Sequence, residues 1–435
     1  MKIFTVLLAL AAVFVAQQSL SAPTDDSVTR FVTAFNSGSH SDIAAYVQAH
    51  VLPAAPDGAD SDTTASLLQL RDKIGTISVA SVRDLPRRTV ATVHSERDGW
   101  YVLQFVKPPS PDAAHRFARL TWDLGLPPPG AGQDVNRYVT SLSPDDFSGV
   151  VLTAKPNGTP SVLAAGWANR EKRIPDSANT LFNIGSLGKL FTTTAIYQLI
   201  EKGVVRKTDT IGKWLPDYPN AEARQATIDE LLSMRSGIGD FFNPRFFDGD
   251  PGRVRTLSDY LPFFASDPLA FKPGTGQLYS NGGFIVLGLI VEKASHTDFY
   301  SYVQKHIFNP AQMSTTAYLT RDQVVPNRAI GYTRQWDDVP THQTALRPTG
   351  AREPGRGSSA GGAYSTVGDL YKFWKALGNG TLLHNHYEWS GPGNFYAGGT
   401  PGWNAALDVE ESGTTIVLAN LDPPTAETLA QNLRP

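Results

Sequence analysis

Ser186 and Lys189 lie three residues apart at the start of an apolar run that reaches Ile200. On a helix, positions i and i+3 face the same side, so the hydroxyl and the ammonium can contact each other. A helix N-terminus also presents backbone N–H groups and positive dipole character, which stabilise an oxygen that becomes negative during acyl transfer. The spacing therefore indicates a nucleophile and its base on the first turn of a buried helix.

Lys189 can act as this base only if it loses its proton near neutral pH. The pKa of a free lysine is near 10.4, so lowering it to about 7 costs on the order of 4 kcal/mol. Burial against apolar neighbours, or a phenol that shares the proton, could supply this change. A lone Ser-x-x-Lys match has an ordinary alternative, a helix cap followed by a surface lysine. The rest of the sequence must decide between the two.

The composition describes a folded protein of more than one domain. A length of 435 residues exceeds one ordinary core, and 41% hydrophobic with 18% charged residues gives no sign of disorder. A net charge of −3 favours neither nucleic acid nor an anionic membrane as a partner, so small neutral or peptidic ligands fit better. The lack of cysteine excludes disulfides, thiolate metal sites and a cysteine nucleophile.

The first 22 residues have the pattern of a secretory signal peptide. Lys2 precedes an apolar run of about fourteen residues, and small residues at Ser21 and Ala22 follow. The alternative is a transmembrane anchor, but the run is shorter than the ~20 residues that span a bilayer. We therefore expect a secreted or periplasmic protein with no membrane contact after signal removal. Because an exported protein without cysteine has no disulfides, we expect a bacterial source.

Residues 23–130 are predicted to form a small α+β domain. Helical spacing within residues 25–51 and 63–74 is followed by alternating strand patterns at 76–79, 89–93 and 100–106, and prolines 127–129 mark the end. The order of elements and the phrase Ala34-Phe35-Asn36-Ser37-Gly38 resemble NTF2-like modules attached to secreted hydrolases. No catalytic constellation is evident in this part of the sequence.

Residues 131–435 are predicted to form a larger domain that contains the site. Strands at 147–154 and 162–168 flank Asn157-Gly158, a strong hairpin signal. Further helices are predicted from Ser186 to Ile200 and at 228–234, 284–294, 299–307 and 366–377, with strands at 403–409 and 414–420. Because helices separate the first strands from the last, the sheet must be closed by elements distant in sequence.

Several phrases in this domain share the order found in one superfamily. These are Ser186-Leu187-Gly188-Lys189, Leu231-Leu232-Ser233-Met234-Arg235-Ser236-Gly237-Ile238, Pro273-Gly274-Thr275, Tyr279-Ser280-Asn281-Gly282-Gly283 and Gly361-Gly362-Ala363-Tyr364-Ser365-Thr366. From Phe147 to Leu421 the chain resembles the serine β-lactamases and penicillin-binding proteins, in the branch of class C β-lactamases, D,D-carboxypeptidases and esterases (peptidase family S12). The resemblance implies an α/β (α+β) fold, an antiparallel sheet flanked by helices with an all-helical subdomain.

The resemblance also implies roles for individual residues. Ser186 would be the acylated nucleophile and Lys189 its proton partner. Tyr279 would share the role of base and later protonate the leaving group, while Asn281 would hold the substrate amide and orient Lys189. A phenol beside an ammonium can share one proton with it, so the pair titrates as a unit. The backbone N–H groups of Ser186 and Gly399 would form the oxyanion hole.

Two departures from the family pattern bear on the substrate. The third motif, Lys-Thr-Gly or His-x-Gly in relatives, corresponds here to Tyr396-Ala397-Gly398, so Tyr396 and Gly398 become the expected substrate-binding residues. Tyrosine offers no positive charge to a substrate carboxylate, which disfavours penicillins and D-Ala-D-Ala peptides. The segment 382–395 is also short, so a strand beside the site is expected to be missing or reduced.

Three alternatives compete with this interpretation. Ser359 lies in a Gly-x-Ser-x-Gly pattern, but a loop precedes it where a nucleophile elbow needs a strand, which favours a turn. His384 and His386 could bind a metal, yet no third ligand lies nearby. The altered third motif also leaves open a binding module that recognises peptide or cell-wall fragments without turnover.

The sequence therefore predicts an exported serine hydrolase that cleaves an ester or amide through an acyl-enzyme on Ser186. Small esters and D-amino-acid peptides or amides are favoured over β-lactams as substrates. We expect no metal and no organic cofactor, because water can release the acyl group. The sequence leaves the oligomeric state open.

Overall fold

The computed structural model describes residues 24–52, 63–85, 88–108 and 116–434. The predicted signal peptide, residues 1–22, lies outside these ranges. Among the described residues, no helix combines the length and the apolar character needed to cross a membrane.

Three helices and a four-stranded antiparallel sheet form the N-terminal part. The helices are α1 (Thr24–Ser37), α2 (His40–His50) and α3 (Thr63–Ile74), and the strands are β1 (Ile77–Leu85), β2 (Arg88–Ser95), β3 (Trp100–Val106) and β4 (Arg119–Leu124). The strands pair in sequence order, and we call β1–β4 the N-terminal sheet. The side-chain amide of Asn36 joins α1 to this sheet by donating to the carbonyl of Ile77 (2.8 Å) and accepting from its N–H (2.8 Å).

The second part contains the remaining elements. Its helices are α4 (Val135–Ser141), α5 (Lys189–Glu201), α6 (Ile211–Trp214), α7 (Ile228–Leu232), α8 (Pro244–Phe247), α9 (Asn281–Ser295), α10 (Phe299–Val303), α11 (Val367–Gly378) and α12 (Thr425–Asn432). Its strands are β5 (Gly149–Ala154), β6 (Ser161–Ala165), β7 (Trp167–Asn169), β8 (Ile174–Pro175), β9 (Phe182–Asn183), β10 (Tyr332–Thr333), β11 (Arg347–Pro348), β12 (Tyr364–Ser365), β13 (Asn394–Thr400), β14 (Trp403–Glu410) and β15 (Gly413–Ala419).

A five-stranded antiparallel sheet in the order β13-β14-β15-β5-β6 organises this part. The strands on either side of the β15–β5 pairing are far apart in sequence, as the pattern predicted. Alternate residues point to opposite faces of a strand. Leu407 and Leu418 accordingly pack with α5 and α9 in the largest core, whereas Ala406 and Val417 pack with α4 and α12 on the other face. The predicted fold class, an antiparallel sheet flanked by helices, is confirmed.

The N-terminal sheet and its helices enclose a hydrophobic cluster of their own. Phe31, Phe35, Leu67, Tyr101 and Phe105 are buried there. Val339, which belongs to a loop of the second part, also packs into this cluster. A separate hydrophobic cluster is consistent with the predicted domain boundary near residue 130. The boundary itself stays a prediction.

Candidate active site

Ser186 lies in a single 3₁₀ turn, Gly185–Gly188, that leads directly into α5. The sequence predicted Ser186 on the first turn of the helix, whereas the structure places it in the turn immediately before the helix. Gly185 adopts φ +50°, and a Cβ there would lie 2.6 Å from the backbone nitrogen of Gly399. Glycine is needed at this position because both the backbone conformation and the close approach of β13 exclude a side chain.

Lys189 is buried and forms three hydrogen bonds. Its Nζ lies 3.1 Å from the Oγ of Ser186, 2.6 Å from the Oδ1 of Asn281 and 2.6 Å from the carbonyl oxygen of Ala360. The ring of Tyr279 lies beside it, with the ring centroid 4.7 Å from Nζ. The alternative of a helix cap followed by a surface lysine does not fit this environment.

Tyr279 completes the cluster from the loop before α9. Its hydroxyl donates to the Oγ of Ser186 at 2.6 Å. Asn281 is the first residue of α9, and it is buried like Lys189. The structure thus brings together the four residues Ser186, Lys189, Tyr279 and Asn281, which are separated by up to 95 positions in sequence.

Asp240 is a neighbour of this cluster that the sequence analysis missed. Its Oδ2 accepts a hydrogen bond from the Nδ2 of Asn281 at 2.7 Å. The amide of Asn281 is thereby oriented so that its oxygen faces Lys189. Asp240 follows the phrase Ser236-Gly237-Ile238-Gly239, and this position next to a family phrase was the only signal that could have found it.

Burial sets the protonation of the cluster. Desolvation lowers the pKa of Lys189 to about 7, although the charge of Asp240 acts in the opposite direction. Desolvation raises the pKa of Asp240, and it also raises that of Tyr279 well above its usual value. Near neutral pH, Lys189 can therefore lose its proton while Tyr279 keeps its own.

The hydrogen-bond partners of Lys189 determine where its lone pair points when the amine is neutral. A neutral amine has two N–H donors and one lone pair. The carbonyl oxygens of Asn281 and Ala360 can only accept, so they take both donors and leave the lone pair facing Ser186. In this state the hydroxyl of Ser186 donates to Nζ and accepts from Tyr279, which is the arrangement a serine nucleophile and its base require.

Strand β13 brings backbone groups against the Ser186 turn. A Cβ at Gly398 would lie 2.8 Å from the backbone nitrogen of Ser186 and still closer to the oxygen of Ile184 and the nitrogen of Leu187. Gly399, the next residue, lies beside Gly185. The two N–H groups of the predicted oxyanion hole, those of Ser186 and Gly399, thus belong to neighbouring backbone segments, and their role stays a prediction.

The hydroxyl of Tyr396, a predicted substrate-binding residue, is bound to another part of the protein. Its hydroxyl donates to the backbone carbonyl of Trp389, and its ring packs near Trp374. A phenol has a single proton to donate. Tyr396 therefore cannot give a hydrogen bond to a substrate carboxylate while this bond is made, and Gly398 contributes backbone only.

The short segment before β13 forms a 3₁₀ turn, Glu388–Ser390, in place of a strand. Trp389 in this turn is buried and packs against Tyr197 of α5, at a ring distance of 5.5 Å. The carboxylate of Glu201 accepts from the backbone N–H groups of His384 and Asn385. The segment thus closes this side of the sheet by packing, and β13 remains the edge strand.

The other sequence candidates lie apart from the cluster. Ser359 is fully buried against Gly288 in a turn in which Ser358 and Gly361 exchange backbone hydrogen bonds, and no strand precedes it. His384 and His386 are exposed. No group of three or more possible metal-ligating side chains occurs in the part of the chain that the structure describes.

Ser186 opens into a large cavity of about 970 Å³. Asn183, Gly185, Asn281 and Gly361 surround the serine in its wall. The cavity gives a substrate access to the nucleophile, and its volume is at the upper end of the range of about 300–1,000 Å³ for small-molecule sites.

The fold and the cluster together match the class of proteins that includes the penicillin-binding proteins. The chain belongs to the Beta-lactamase family, whose model matches residues 135–414. The predicted superfamily is thereby confirmed. The NTF2-like resemblance concerns residues outside this match and stays a prediction.

Individual relatives agree with this assignment. The chain is 30% identical over 239 residues to penicillin-binding protein 4* of Bacillus subtilis (strain 168), a match that covers 53% of this chain and 52% of the relative. The chain therefore spans about half the length of that curated relative. The crystal structure of a penicillin binding protein from Bacillus halodurans has 30% identity and a TM-score of 0.59, with 66% of this chain and 95% of that chain covered.

A third comparison concerns the fold alone. The crystal structure of D-amino acid amidase from Ochrobactrum anthropi SV3, complexed with L-phenylalanine amide, has a TM-score of 0.56 and 22% identity. It covers 69% of this chain and 98% of that chain.

Proposed function

We propose that this protein hydrolyses an ester or amide through an acyl-enzyme on Ser186. The observation that carries the proposal is the 3.1 Å contact between the Nζ of buried Lys189 and the Oγ of Ser186, with the carbonyl oxygens of Asn281 and Ala360 each at 2.6 Å to accept the two donors of a neutral amine. A neutral lysine near pH 7 and an intact serine hydroxyl form a nucleophile and base pair without any further group.

In the proposed reaction, the Oγ of Ser186 attacks the substrate carbonyl and its proton passes to Lys189. The resulting oxyanion is stabilised by the backbone N–H groups of Ser186 and Gly399. Tyr279, which keeps its proton, donates to the oxygen or nitrogen of the leaving group and regains a proton from Lys189. Water then attacks the acyl-enzyme with the same groups acting in reverse, and the acid is released.

We propose esters, or small D-amino-acid amides or peptides, as the substrate class. The third motif provides tyrosine where relatives have a cation or an imidazole, and the Tyr396 hydroxyl is bound to Trp389. Substrates whose binding depends on a carboxylate are therefore disfavoured.

The decisive test is covalent labelling followed by intact-protein mass spectrometry. The protein is treated with a fluorophosphonate and, separately, with a penicillin, and the labelled peptide is mapped. We expect a fluorophosphonate adduct on Ser186 and little or no penicillin adduct. The same mass measurement, on protein recovered from its producing cells, reports whether residues 1–22 have been removed, as the proposed export requires.

Ser186→Ala and Ser359→Ala form a matched pair for this test. Ser186→Ala should lose both labelling and hydrolysis, whereas Ser359→Ala should keep both because the buried Oγ of Ser359 makes no hydrogen bond within the described residues. A folded parent protein that gains no adduct and cleaves no ester would overturn the proposal in favour of a binding module. Full labelling of the Ser186 variant would overturn the assignment of the nucleophile.

A further inference from the structure

The cavity at Ser186 extends to the N-terminal sheet. Its wall includes Trp122 and Leu124 of β4 and Tyr101 of β3. These residues belong to the part of the chain for which no catalytic role is evident, and they lie outside the residues 135–414 that match the family. The N-terminal sheet is thus part of the same cavity as the nucleophile.

Specific contacts hold this sheet in place against the second part. The backbone N–H of His342 donates to the Oδ2 of Asp98 at 2.8 Å, and its Nε2 lies 2.8 Å from the carbonyl oxygen of Trp100. Lys73 donates to the carbonyl of Val339 at 2.7 Å. The position of β4 beside the cavity therefore depends on the loop that carries Val339 and His342.

That loop also contributes to the cavity. Trp336 and Pro340 line it, and Arg352 lies over the Trp336 ring at 5.0 Å. Arg334 anchors the base of the loop by donating to the carbonyl of Asp145 at 3.0 Å and to that of Thr344 at 2.8 Å. The loop and β4 together form an anchored wall of the cavity.

The cavity lining as a whole contains charged side chains, such as Asp123 and Arg334, and eight aromatic ones. These are Tyr101, Trp122, Phe241, Phe242, Phe247, Tyr260, Trp336 and Tyr364. Aromatic rings bury large areas and favour flat or extended apolar groups. A cavity of about 970 Å³ also exceeds the need of a single small amino-acid amide, since sites for drug-sized ligands begin at about 300 Å³.

We propose that the N-terminal sheet is a substrate-binding wall that selects esters or amides with a large, mainly apolar acyl or leaving group. Trp122 and Leu124 are its specificity-determining residues. This inference rests on the proposed hydrolase function, because the substrate must reach from Ser186 to β4. Nothing in the family match assigns this role to the residues before position 135.

The test compares two series of substrates on the full chain. One series keeps p-nitrophenol as the leaving group and extends the acyl group from acetate to 4-phenylbutyrate and dodecanoate. The other keeps acetate and enlarges the phenol. In Trp122→Ala, the ratio of kcat/KM for the large members of one series to kcat/KM for p-nitrophenyl acetate should fall by about tenfold, since an aromatic contact is lost.

Trp100→Ala is the matched control, because Trp100 lies on the same sheet but outside the cavity wall. Trp122 also packs partly on the N-terminal core, so Trp122→Leu serves as a second variant that keeps apolar packing and removes the ring. If selectivity is lost in the acyl series, β4 contacts the acyl group. If it is lost in the phenol series, β4 contacts the leaving group.

Each outcome has a distinct meaning. Hydrolysis of acetate by the parent, with no selective loss in either series for Trp122→Ala and Trp122→Leu, would overturn this inference and leave the hydrolase proposal intact. Equal losses in Trp100→Ala would likewise assign the effect to the sheet and overturn the role of the cavity wall. A parent that cleaves no ester and takes no fluorophosphonate would overturn both proposals.

Discussion

The hydrogen bonds of Lys189 restrict how its proton can move. Two of the three partners are carbonyl oxygens, and the third is the hydroxyl of Ser186. In the proposed reaction the lysine is therefore the base and the phenol the donor, because burial raises the pKa of Tyr279. This refines the expectation that the two residues share the role of base.

Asp240 is expected to act as a positioning residue with an electrostatic effect. In Asp240→Asn, the new amide oxygen can still accept from Asn281, but the negative charge near Lys189 is gone. The parent kcat/KM for a neutral ester should rise with pH through about 7 as Lys189 loses its proton. In the variant this inflection should move to lower pH, because a carboxylate favours the ammonium form.

The pH profile separates this role from a merely structural one. Asp240→Ala removes the acceptor of a buried amide donor and should lower kcat/KM by about tenfold or more at every pH. An inflection that stays in place in Asp240→Asn would show that the charge of Asp240 does not reach Lys189.

Individual site residues were predictable where a family phrase contains them. Ser186, Lys189, Tyr279 and Asn281 were located in advance, and the structure brings them together. Asp240 was not, since its contact with Asn281 spans 41 positions and no local spacing indicates it. The hydrogen bond from Tyr396 to Trp389 was also not predicted, because its acceptor is a backbone carbonyl in an irregular turn, which no sequence pattern indicates.

Strand β13 and the Ser186 turn pack at backbone distance, and this contact depends on Gly398. In Gly398→Ala the added methyl group would meet the backbone of Ile184, Ser186 and Leu187. Such overpacking costs about 1–3 kcal/mol. We expect a loss of that size in the free energy of unfolding, measured in urea, together with slower fluorophosphonate labelling of Ser186.

Gly391→Ala is the control for this prediction. It precedes the same strand, but its nearest neighbour, the oxygen of Glu388, lies 3.8 Å from an added Cβ, which is ordinary contact distance. It should retain stability and labelling. Unchanged stability of Gly398→Ala would contradict the close packing of β13 on the turn.

Elements with strong local patterns were predicted well. The Asn157-Gly158 signal marks the turn of the β5–β6 hairpin, and the apolar run after Tyr279 is α9. β13 carries Gly398 and Gly399, residues that weaken strand propensity, so no local pattern predicted a strand there. The 3₁₀ turn of Ser186 was also missed because its backbone is shaped by contact with β13.

His342 joins the two parts of the molecule, and its protonation should affect their stability. Nδ1 lies 3.1 Å from the carboxylate of Asp146 and Nε2 2.8 Å from the carbonyl of Trp100. Both ring nitrogens therefore act as donors when the ring is charged. Burial opposes this charge, yet the bonds to Asp146 and Trp100 outweigh it and raise the pKa of His342.

A raised pKa means that His342 stabilises the folded state fully below its unfolded pKa of about 6.5, and that this stabilisation is lost as the pH rises through the folded pKa. His342→Gln should therefore lower the free energy of unfolding more at about pH 6 than at about pH 9. Urea unfolding at both values measures the difference. An equal loss at the two values would mean that the imidazole is uncharged in the folded protein.

At the scale of the whole molecule, the sequence indicated two parts and a sheet closed by distant strands. It could not indicate that a loop around Val339 packs into the N-terminal cluster, because a single apolar residue in a polar loop carries no periodic signal. The shared cavity was unpredictable for the same reason. Cavities depend on how finished elements pack, and local patterns do not report that.

The pairing of β5 with β15 has a consequence for how the chain reaches its native state. Gly149 pairs with Ala419, and Gly399 lies beside Gly185 across 214 positions of sequence. Contacts between residues so far apart in sequence form slowly, because the entropy of closing a long loop is lost before any contact is gained. The N-terminal sheet can form from residues up to Leu124 alone, whereas the Ser186 cluster can be completed only when β13 and β15, near the other end of the chain, are also free to pair.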